Sequence, residues 1–391
     1  MPAAITAVSA GRAFTARHDT VDRVDWILDV AALASIEGEW RALESRVRHR
    51  SHVSTFDFLA AWYRHYAGEY GGAPLVGLAW RGTELAGIAP LTVRRGRVGR
   101  IPVTRVDFAP NDSIAGEFLV DDHQPEVVAA LVDSLMQSRT KFDVICLNGF
   151  DPASHQIVAL RHAAARHRLS MQIEDHASAV VDLRQGYKAY HAGLSSHYRR
   201  NLNQKARKIA ATGFTVEGVE QAQGLESLEA CIPRMIAINE ASYKLEGQRL
   251  AGGHRAFLSE VVRRFGARGL LRLPILTIGG RDAAFILGVV ERGCFYDITL
   301  AYDEAFARLS PGAFLMQQAL QHFAAAGVHT VVSHGAHEYK KHWSTAFVPQ
   351  KRVFLFAPGP RGAATRFVRF GLQPLWKRLV TQESSPGGEP G

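Results

Sequence analysis

The sequence predicts an α+β fold made of two similar domains. In each half of the 391-residue chain, helical patterns precede a meander of β-rich runs, and a further helix and strand follow it. The length suffices for two ordinary domains, each with its own core. With 47% hydrophobic and 21% charged residues, the composition excludes a disordered or collagen-like protein.

The first half begins with two helical patterns and continues with strands. The helices are expected over residues 32–48 and 56–70, and the meander over 74–80, 84–93 and 101–108. The remaining elements are a strand at 117–120, a helix at 124–138, a strand at 142–147, a helix at 152–167 and the strand-like run MQIEDHASAVVDL. We expect residues 25–182 to form the N-terminal domain.

The second half repeats this order without obvious sequence identity. It contains helices over 196–211, 224–245 and 253–267, three β runs (LLRLPILTIGG, AAFILGVVE and CFYDITLAY), a helix over 311–326, and the strands VHTVVS and KRVFLF. We expect residues 183–360 to form the C-terminal domain. Residues 361–391 are expected to form a basic amphipathic segment with a disordered end.

The net charge of +9 is concentrated in two segments. Residues 183–216 carry seven Lys and Arg, and residues 339–382 carry nine, in both cases without an Asp or Glu. Such local excess indicates an anionic partner, which could be phosphate groups, nucleic acid or a lipid surface. The basic, aromatic run 365–380 suits contact with an anionic membrane, with docking onto the protein's own surface as the alternative.

Several classes of protein are not indicated. No window approaches 18 uninterrupted apolar residues, and the N-terminus lacks the apolar core of a secretory signal, so we expect a cytoplasmic protein. The three cysteines (Cys146, Cys231 and Cys294) form no metal-binding or disulfide pattern. The 17 histidines are scattered, and no metal site is expected.

Three motifs could carry chemistry. In RLSPGAFL, Ser310 is expected as an N-cap and Gly312 as a place where a ligand approaches the backbone, so the helix start could hold a pyrophosphate. The run VVSHGAHEYKKHW places a base, an acid and a cation near a strand end. The basic helix at 195–210 could hold phosphates. Each motif also has a purely structural interpretation. RLSPGAFL could simply start a well-capped helix, VVSHGAHEYKKHW could be a polar surface turn, and the basic helix could expose its charges to solvent.

Together these segments resemble the CelD-type branch of the GNAT acyltransferase superfamily, which is first associated with cellulose biosynthesis and related in fold to Fem peptidyltransferases. The resemblance spans about Trp40 to Phe356. It rests on FDFLAAWYRHY with LAGIAPL, on SHYRRNLNQKARKI, and above all on YDEAFARLSPGAFL with GAHEYKKHW. It implies tandem GNAT-like domains, each a mixed, mostly antiparallel sheet flanked by helices, with the acyl-donor site in the C-terminal domain.

The resemblance also implies roles for residues. The expected donor-side residues are Arg308, Ser310, Gly312 and Ala313, together with Arg199 and Arg200 of the basic helix. Pro311 stands where the family usually has a glycine, which removes one N–H donor. Lys340 would stabilise the oxyanion, His337 or Glu338 would act as base, and Tyr339 or Tyr302 would donate to the leaving sulfur.

The expected function is transfer of an acyl group from acyl-CoA, or acyl carrier protein, to an amine. Acyl-CoA would be a co-substrate, with no cofactor permanently bound. The basic C-terminal segment favours a lipid-like amine such as a sphingoid base, since bacterial ceramide synthases also resemble this branch, and peripheral contact with the inner face of the cytoplasmic membrane. The alternatives are aminoacyl-tRNA-dependent peptide transfer as in Fem proteins, polysaccharide-related acetylation and a non-enzymatic scaffold.

Overall fold

The computed structural model describes residues 21–47, 51–68, 72–110, 116–120, 124–138, 140–218, 225–242 and 253–372. Its strands are β1 (Arg23–Ile27), β2 (Ala73–Arg81), β3 (Glu84–Val98), β4 (Ile101–Phe108), β5 (Leu119–Val120), β6 (Val144–Phe150), β7 (Ser170–Asp182), β8 (Phe214–Glu217), β9 (Leu271–Arg272), β10 (Ile275–Ile278), β11 (Arg281–Glu291), β12 (Cys294–Tyr302), β13 (Thr330–Ser333) and β14 (Ala346–Phe356).

The helices alternate with these strands. They are α1 (Glu37–Arg46), α2 (Phe56–Tyr66), α3 (Pro125–Gln137), α4 (His155–Arg166), α5 (Gly186–Gly193), α6 (Ser196–Thr212), α7 (Leu225–Glu240), α8 (Gly253–Ala267), α9 (Pro311–Ala325) and α10 (Pro360–Arg366). The α+β fold predicted from the sequence is confirmed. One difference is that residues 30–36 form a 3₁₀ helix, so α1 begins later than expected.

The chain divides into two compact units, and neither is continuous in sequence. The first comprises the chain up to Phe56, Ala67–Asp175 and the chain from Lys351 onward, and the second comprises Asp57–Tyr66 and His176–Gln350. The expected boundaries after residues 182 and 360 therefore differ from those of the units. The boundaries differ because segments distant in sequence complete each unit: the chain from Lys351 onward belongs to the first unit, and Asp57–Tyr66 belongs to the second.

The first unit contains a sheet in the order β1–β2–β3–β4–β6–β14, with β5 beside β3. Strands β1 to β4 are antiparallel neighbours, whereas β4 runs parallel to β6 after the crossover that contains α3. Residues 351–356 of β14 pair antiparallel with β6. The core between sheet and helices includes the buried residues Val106, Leu131, Ile145 and Leu160.

The second unit repeats this topology with the order β8–β10–β11–β12–β13–β7, and β9 lies beside β11. Strands β8, β10, β11 and β12 are antiparallel neighbours, β12 runs parallel to β13 across α9, and residues 179–182 of β7 pair antiparallel with β13. Its core includes the rings of Phe295 and Phe323, which are tilted by 32° with centroids 4.4 Å apart. Both units thus have an equivalent strand order. The last strand of each sheet, β14 in the first and β7 in the second, pairs with a strand that is distant in sequence.

Helix α2 belongs to the second unit although the sequence places it in the first half. The ring of Phe58 packs edge-on against Phe257 of α8, with centroids 5.5 Å apart. The Glu260 carboxylate of α8 binds His65 Nε2 and Arg64 Nη1, each at 2.6 Å. Apolar and ionic contacts therefore attach α2 to α8.

The described part of the C-terminal segment is helical. Helix α10 continues as the π-helical turns Phe367–Leu372. The Arg369 guanidinium pairs with Glu174 at 2.6 Å and lies over the Phe354 ring at 5.4 Å, so this cation docks onto its own unit. Phe367 is 62% exposed. The predicted disordered end and the basic residues Lys377 and Arg378 lie outside the described residues, and no described helix is long and apolar enough to span a membrane.

Candidate functional site

The parallel strands β12 and β13 separate in the second unit. Their pairing ends where Asp297 lies opposite Ser333, and β12 continues to Tyr302 whereas β13 stops. The register of β12 against β11 shifts at the same place, because Thr299 pairs with Leu287 whereas Asp297 pairs with Gly288. This irregularity is typical of a β-bulge, which bends a strand. We call the position defined by Asp297 and Ser333 the strand fork.

The side chain of Lys340 lies at the strand fork. It comes from the 3₁₀ turn Glu338–His342 and is only 4% exposed. Its Nζ donates to Ser333 Oγ at 2.9 Å and to the carbonyl oxygen of His334. Ser333 Oγ in turn donates to Asp297 Oδ2 at 2.6 Å. The fold thus holds an ammonium group in a largely buried position next to the end of β13.

The imidazole of His334 is enclosed beside this lysine. Both ring nitrogens are buried. Burial, and to a smaller extent the nearby Lys340 ammonium and His176, lower the pKa of His334 to about 4. The ring is therefore neutral near pH 7 and adds no second charge next to Lys340.

Four other residues were predicted to be catalytic. His337, Glu338 and Tyr339 are exposed, and Tyr302 of β12 is half-buried. The His337 ring stacks on Tyr339 with centroids 6.0 Å apart and 13° between the planes. The Glu338 side chain is 82% exposed and pairs with Lys341 at 2.8 Å. The structure thus buries Lys340 and presents its neighbours to solvent.

The turn before α9 differs from the expected N-cap. Ser310 lies in the left-handed region with φ 53° and ψ 54°, and its side chain makes no capping hydrogen bond. A side-chain cap requires an extended N-cap residue, so the capping role expected for Ser310 is wrong. Pro311 has no N–H, and the Phe314 N–H bonds to the Ser310 carbonyl at 3.2 Å.

Helix geometry leaves the N–H groups of Gly312 and Ala313 as the donors of this first turn. Gly312 itself is buried. A Cβ added there would stand 2.9 Å from Leu300 Cδ2 and 3.5 Å from Tyr302 Cδ1. The missing side chain of Gly312 therefore makes room for β12, and the approach of a ligand to its backbone stays a prediction. This contact also places Tyr302 next to the start of α9.

Helix α6 links the two motifs. Lys205 Nζ donates to the carbonyl oxygen of Arg308 at 2.6 Å, which ties α6 to the turn before α9. The Tyr198 ring stacks on His342 with centroids 5.8 Å apart, which ties α6 to the turn that carries Lys340. Burial raises the pKa of Tyr198 to about 12, so its hydroxyl stays neutral.

The two arginines predicted to bind phosphate have different environments. Arg199 Nη1 donates to the carbonyl oxygens of Leu194, at 2.7 Å, and Ala192. It therefore stabilises the end of α5, a structural role that the sequence did not indicate. Arg200 and Arg308 are exposed at the surface of the second unit.

The sequence analysis missed Asp297, Ser333 and Lys205. Asp297 was detectable as the one charged residue inside the apolar strand CFYDITLAY, which is unusual for a partly buried strand. Ser333 ends an apolar strand without a distinguishing signal, and Lys205 is one of seven cations in its segment. Within the described ranges, no group of three or more His, Cys, Asp or Glu side chains is placed to hold a metal ion.

Residues 196–341 match the family model described as an acetyltransferase (GNAT) domain. The match includes α6, the turn before α9, the strand fork and Lys340. Residues 196–341 are a GNAT-type acyltransferase domain. The chain is accordingly an N-acyltransferase enzyme. No curated protein sequence matches the chain significantly.

Two solved structures share the fold over most of the chain. One is FemX, with a TM-score of 0.55 and 11% identity, covering 88% of this chain and 98% of FemX. The other is the C-terminal domain of a protein from Agrobacterium fabrum, described as a candidate lysylphosphatidylglycerol synthetase, with a TM-score of 0.53 and 13% identity, covering 92% of this chain and 99% of that chain. At these identities the likeness shows a common fold and leaves the substrate open.

Proposed function

We propose that this protein transfers an acyl group from the thioester of acyl-CoA, or of acyl carrier protein, to an amine. The observation that carries the proposal is the buried Lys340 ammonium at the strand fork of a GNAT-type domain. The carbonyl oxygen of a thioester gains negative charge when an amine attacks it. A fixed cation in a poorly solvated position stabilises that charge more strongly than water does.

The reaction needs a base and an acid as well. His337 or Glu338 takes a proton from the acceptor's ammonium group, and the resulting neutral amine attacks the thioester carbonyl to form the C–N bond. The C–S bond breaks as the carbonyl re-forms. Tyr339 or Tyr302 donates a proton to the leaving thiolate and recovers one from the attacking nitrogen, which leaves a neutral amide. His337 and Glu338 lie in the same short segment as Lys340 and face solvent, where a base can return its proton.

The donor's pyrophosphate would bind at the start of α9. The N–H groups of Gly312 and Ala313 and the positive end of the helix dipole favour an anion there. Arg308 and Arg200 add exposed cations in the same unit, and the Ser310 hydroxyl adds a polar group. The missing N–H of Pro311 leaves one backbone donor fewer than a glycine would provide.

For the acceptor we propose a lipid-like amine, such as a sphingoid base, and a place in the CelD-type branch. The exposed Phe367 and the basic segment around Arg366 support contact with an anionic lipid surface. Acceptor and donor would then meet at the cytoplasmic face of a membrane. Polysaccharide-related acetylation stays the alternative for an acceptor that is soluble.

Aminoacyl-tRNA-dependent transfer is a second candidate, favoured by the likeness to FemX over 88% of this chain. The helix α6 segment, with seven cations and no acid over residues 183–216, could follow a phosphate backbone. Such binding would weaken steeply with salt, because phosphate contacts release counterions.

The test compares donors and one lysine variant. Acetyl-CoA, palmitoyl-CoA and aminoacyl-tRNA are each incubated with a panel of soluble and lipid amines, and product mass and free thiol are measured. We expect a thioester to be consumed and Lys340→Met to reduce kcat by about 10²–10³-fold. Lys188→Met, an exposed cation on α5, should stay within about two-fold of the parent enzyme. Consumption of aminoacyl-tRNA alone, or full activity of Lys340→Met, would contradict the proposal.

A further inference from the structure

Asp297 is a partly buried carboxylate that the expected mechanism does not use. One oxygen, Oδ2, accepts the hydrogen bond from Ser333 at 2.6 Å. The other, Oδ1, is buried and has no hydrogen-bond partner in the part of the chain that the structure describes. A buried carboxylate with an unsatisfied oxygen destabilises a fold unless a positive charge compensates for it.

The compensating charge is the ammonium of Lys340. Two hydrogen bonds join the groups, from Lys340 Nζ to Ser333 Oγ at 2.9 Å and from Ser333 Oγ to Asp297 Oδ2 at 2.6 Å. A hydroxyl accepts from the cation and donates to the anion, so the serine is oriented by both charges. Each charge thus makes burial of the other less unfavourable.

The strand register makes this arrangement specific. Asp297 and Ser333 are direct partners at the last paired position of β12 and β13. Both strands are fixed by further pairing, β12 with β11 and β13 with β7. The carboxylate and hydroxyl therefore sit on a rigid part of the fork, whereas Lys340 comes from a short 3₁₀ turn.

We propose that Asp297 is a positioning residue, which acts through Ser333 to hold the Lys340 side chain at the strand fork in its ammonium form. This inference rests on the proposed function only for the catalytic use of Lys340. Asp297 reaches Lys340 through Ser333 and is assigned no step of the transfer itself. It supplies the negative charge that keeps a buried lysine protonated and the anchor that fixes its direction.

Titratable side chains and an aromatic ring lie around the Lys340 ammonium. His334, which directly follows β13, is adjacent, and because burial, Lys340 and His176 lower its pKa to about 4, it adds no positive charge near neutral pH. The Tyr339 ring has its centroid 5.9 Å from Nζ. On its own turn, Glu338 and Lys341 pair with each other. Asp297 is thus the carboxylate joined to Lys340 through hydrogen bonds.

The test follows the lysine directly in the full-length protein. Lysine side chains are labelled with ¹³C, the Lys340 signal is assigned by its loss in Lys340→Arg, and its titration is recorded by NMR. We expect Asp297→Asn, which keeps the shape and removes the charge, to lower the titration midpoint of Lys340 by about one pH unit or more. Ser333→Ala should also lower the titration midpoint of Lys340. Ser333→Thr, which keeps a hydroxyl, should leave the midpoint at its value in the parent protein.

Glu229→Gln serves as the matched control, because it removes one negative charge from an exposed ion pair between α7 and α8 of the same unit. It should leave the Lys340 titration unchanged. If Asp297→Asn also leaves it unchanged, the proposal fails. If Asp297→Asn does not fold, the Ser333→Ala and Ser333→Thr pair decides, since both keep the carboxylate. A shifted Lys340 titration with an unaltered transfer rate would uphold the positioning and overturn the proposed role of Lys340 in catalysis.

Discussion

The ammonium of Lys205 donates a hydrogen bond to the carbonyl oxygen of Arg308 over 2.6 Å. The bond holds the last residues of the 3₁₀ turn Glu304–Leu309 against α6. The first-turn N–H groups of α9 follow this turn, so Lys205 both places a positive charge near the proposed pyrophosphate site and fixes the backbone that leads to it. A helix start alone is a weak anion site, and a nearby cation strengthens it.

We therefore expect Lys205→Met to weaken donor binding. The bond is exposed, so its loss should amount to about 1 kcal/mol, or about a five-fold increase in the Kd for acetyl-CoA. Isothermal titration calorimetry at low ionic strength measures this Kd for both proteins. Lys208→Met, an exposed cation on the same helix, is the control and should change the Kd by less than about two-fold. Equal effects of the two variants would show that only net charge matters.

Gly312 gives a second prediction, on stability. An added Cβ would lie 2.9 Å from Leu300 Cδ2, so in Gly312→Ala the Leu300 side chain must turn away, or β12 or α9 must shift. Such overpacking costs about 1–3 kcal/mol. We expect a lower Tm for Gly312→Ala and partial recovery when Leu300→Ala removes the clashing methyl. Gly193→Ala is the control, because a Cβ there meets nothing within 4 Å. An unchanged Tm for Gly312→Ala would mean that the helix start is loosely packed.

Local patterns predicted most of the elements but not their partners. The alternation around Gly82 gave the β2–β3 hairpin, and Gly213, with φ 79°, ends α6 where expected. Pairing between β7 and β13 joins residues about 150 positions apart, and no local signal encodes it. The sequence therefore did not reveal that α2 belongs to the second unit, or that β14 and β7 complete the two sheets.

The candidate site, like the fold, was predictable only where a local sequence pattern reveals it. Lys340 stood out because it lies in a polar run that follows a strand. The hydrogen bonds from Lys340 through Ser333 to Asp297 depend on the register of two parallel strands, which the sequence does not specify. The left-handed backbone at Ser310 was hidden as well, because Ser-Pro-Gly is also a common helix start.

The assignment of α2 to the second unit predicts how a fragment behaves. A fragment beginning at residue 183, the expected domain boundary, lacks both α2 and the β7 residues that pair with β13. It exposes Phe257 and leaves a strand edge unpaired, and both favour aggregation. We expect poor solubility and a weak near-ultraviolet circular dichroism signal. A well-folded, monomeric fragment would show that these exchanged segments are dispensable.

The full chain offers a milder version of this experiment. Glu260 of α8 binds both Arg64 and His65 of α2. Glu260→Gln keeps the side-chain size and removes the charge, so we expect faster hydrogen exchange in α2 with little change elsewhere. Glu229→Gln breaks an exposed ion pair between α7 and Arg263 of α8 but removes no contact to α2, so it should leave exchange in α2 unaltered.

His334 gives a prediction about pH and stability. Its pKa is lowered to about 4 in the folded protein, mainly by burial, whereas an unfolded histidine has a pKa of about 6.5. Between these values the unfolded chain binds a proton and the folded protein does not. Acidification therefore favours unfolding. The contribution of His334 to the unfolding free energy is fully present above about pH 6.5 and is lost as the pH falls toward about 4. Between pH 7 and pH 5 this group alone should reduce the unfolding free energy by about 2 kcal/mol.

His334→Gln isolates that contribution, because glutamine keeps a polar side chain but does not titrate. Urea unfolding of both proteins at pH 7 and pH 5 gives the double difference, in which the titration of other groups cancels. We expect the parent protein to lose about 2 kcal/mol more than the variant over this range. Equal losses would mean that the His334 imidazole is already charged in the fold at pH 5, and therefore that it is better solvated, or less repelled by Lys340, than its buried position implies.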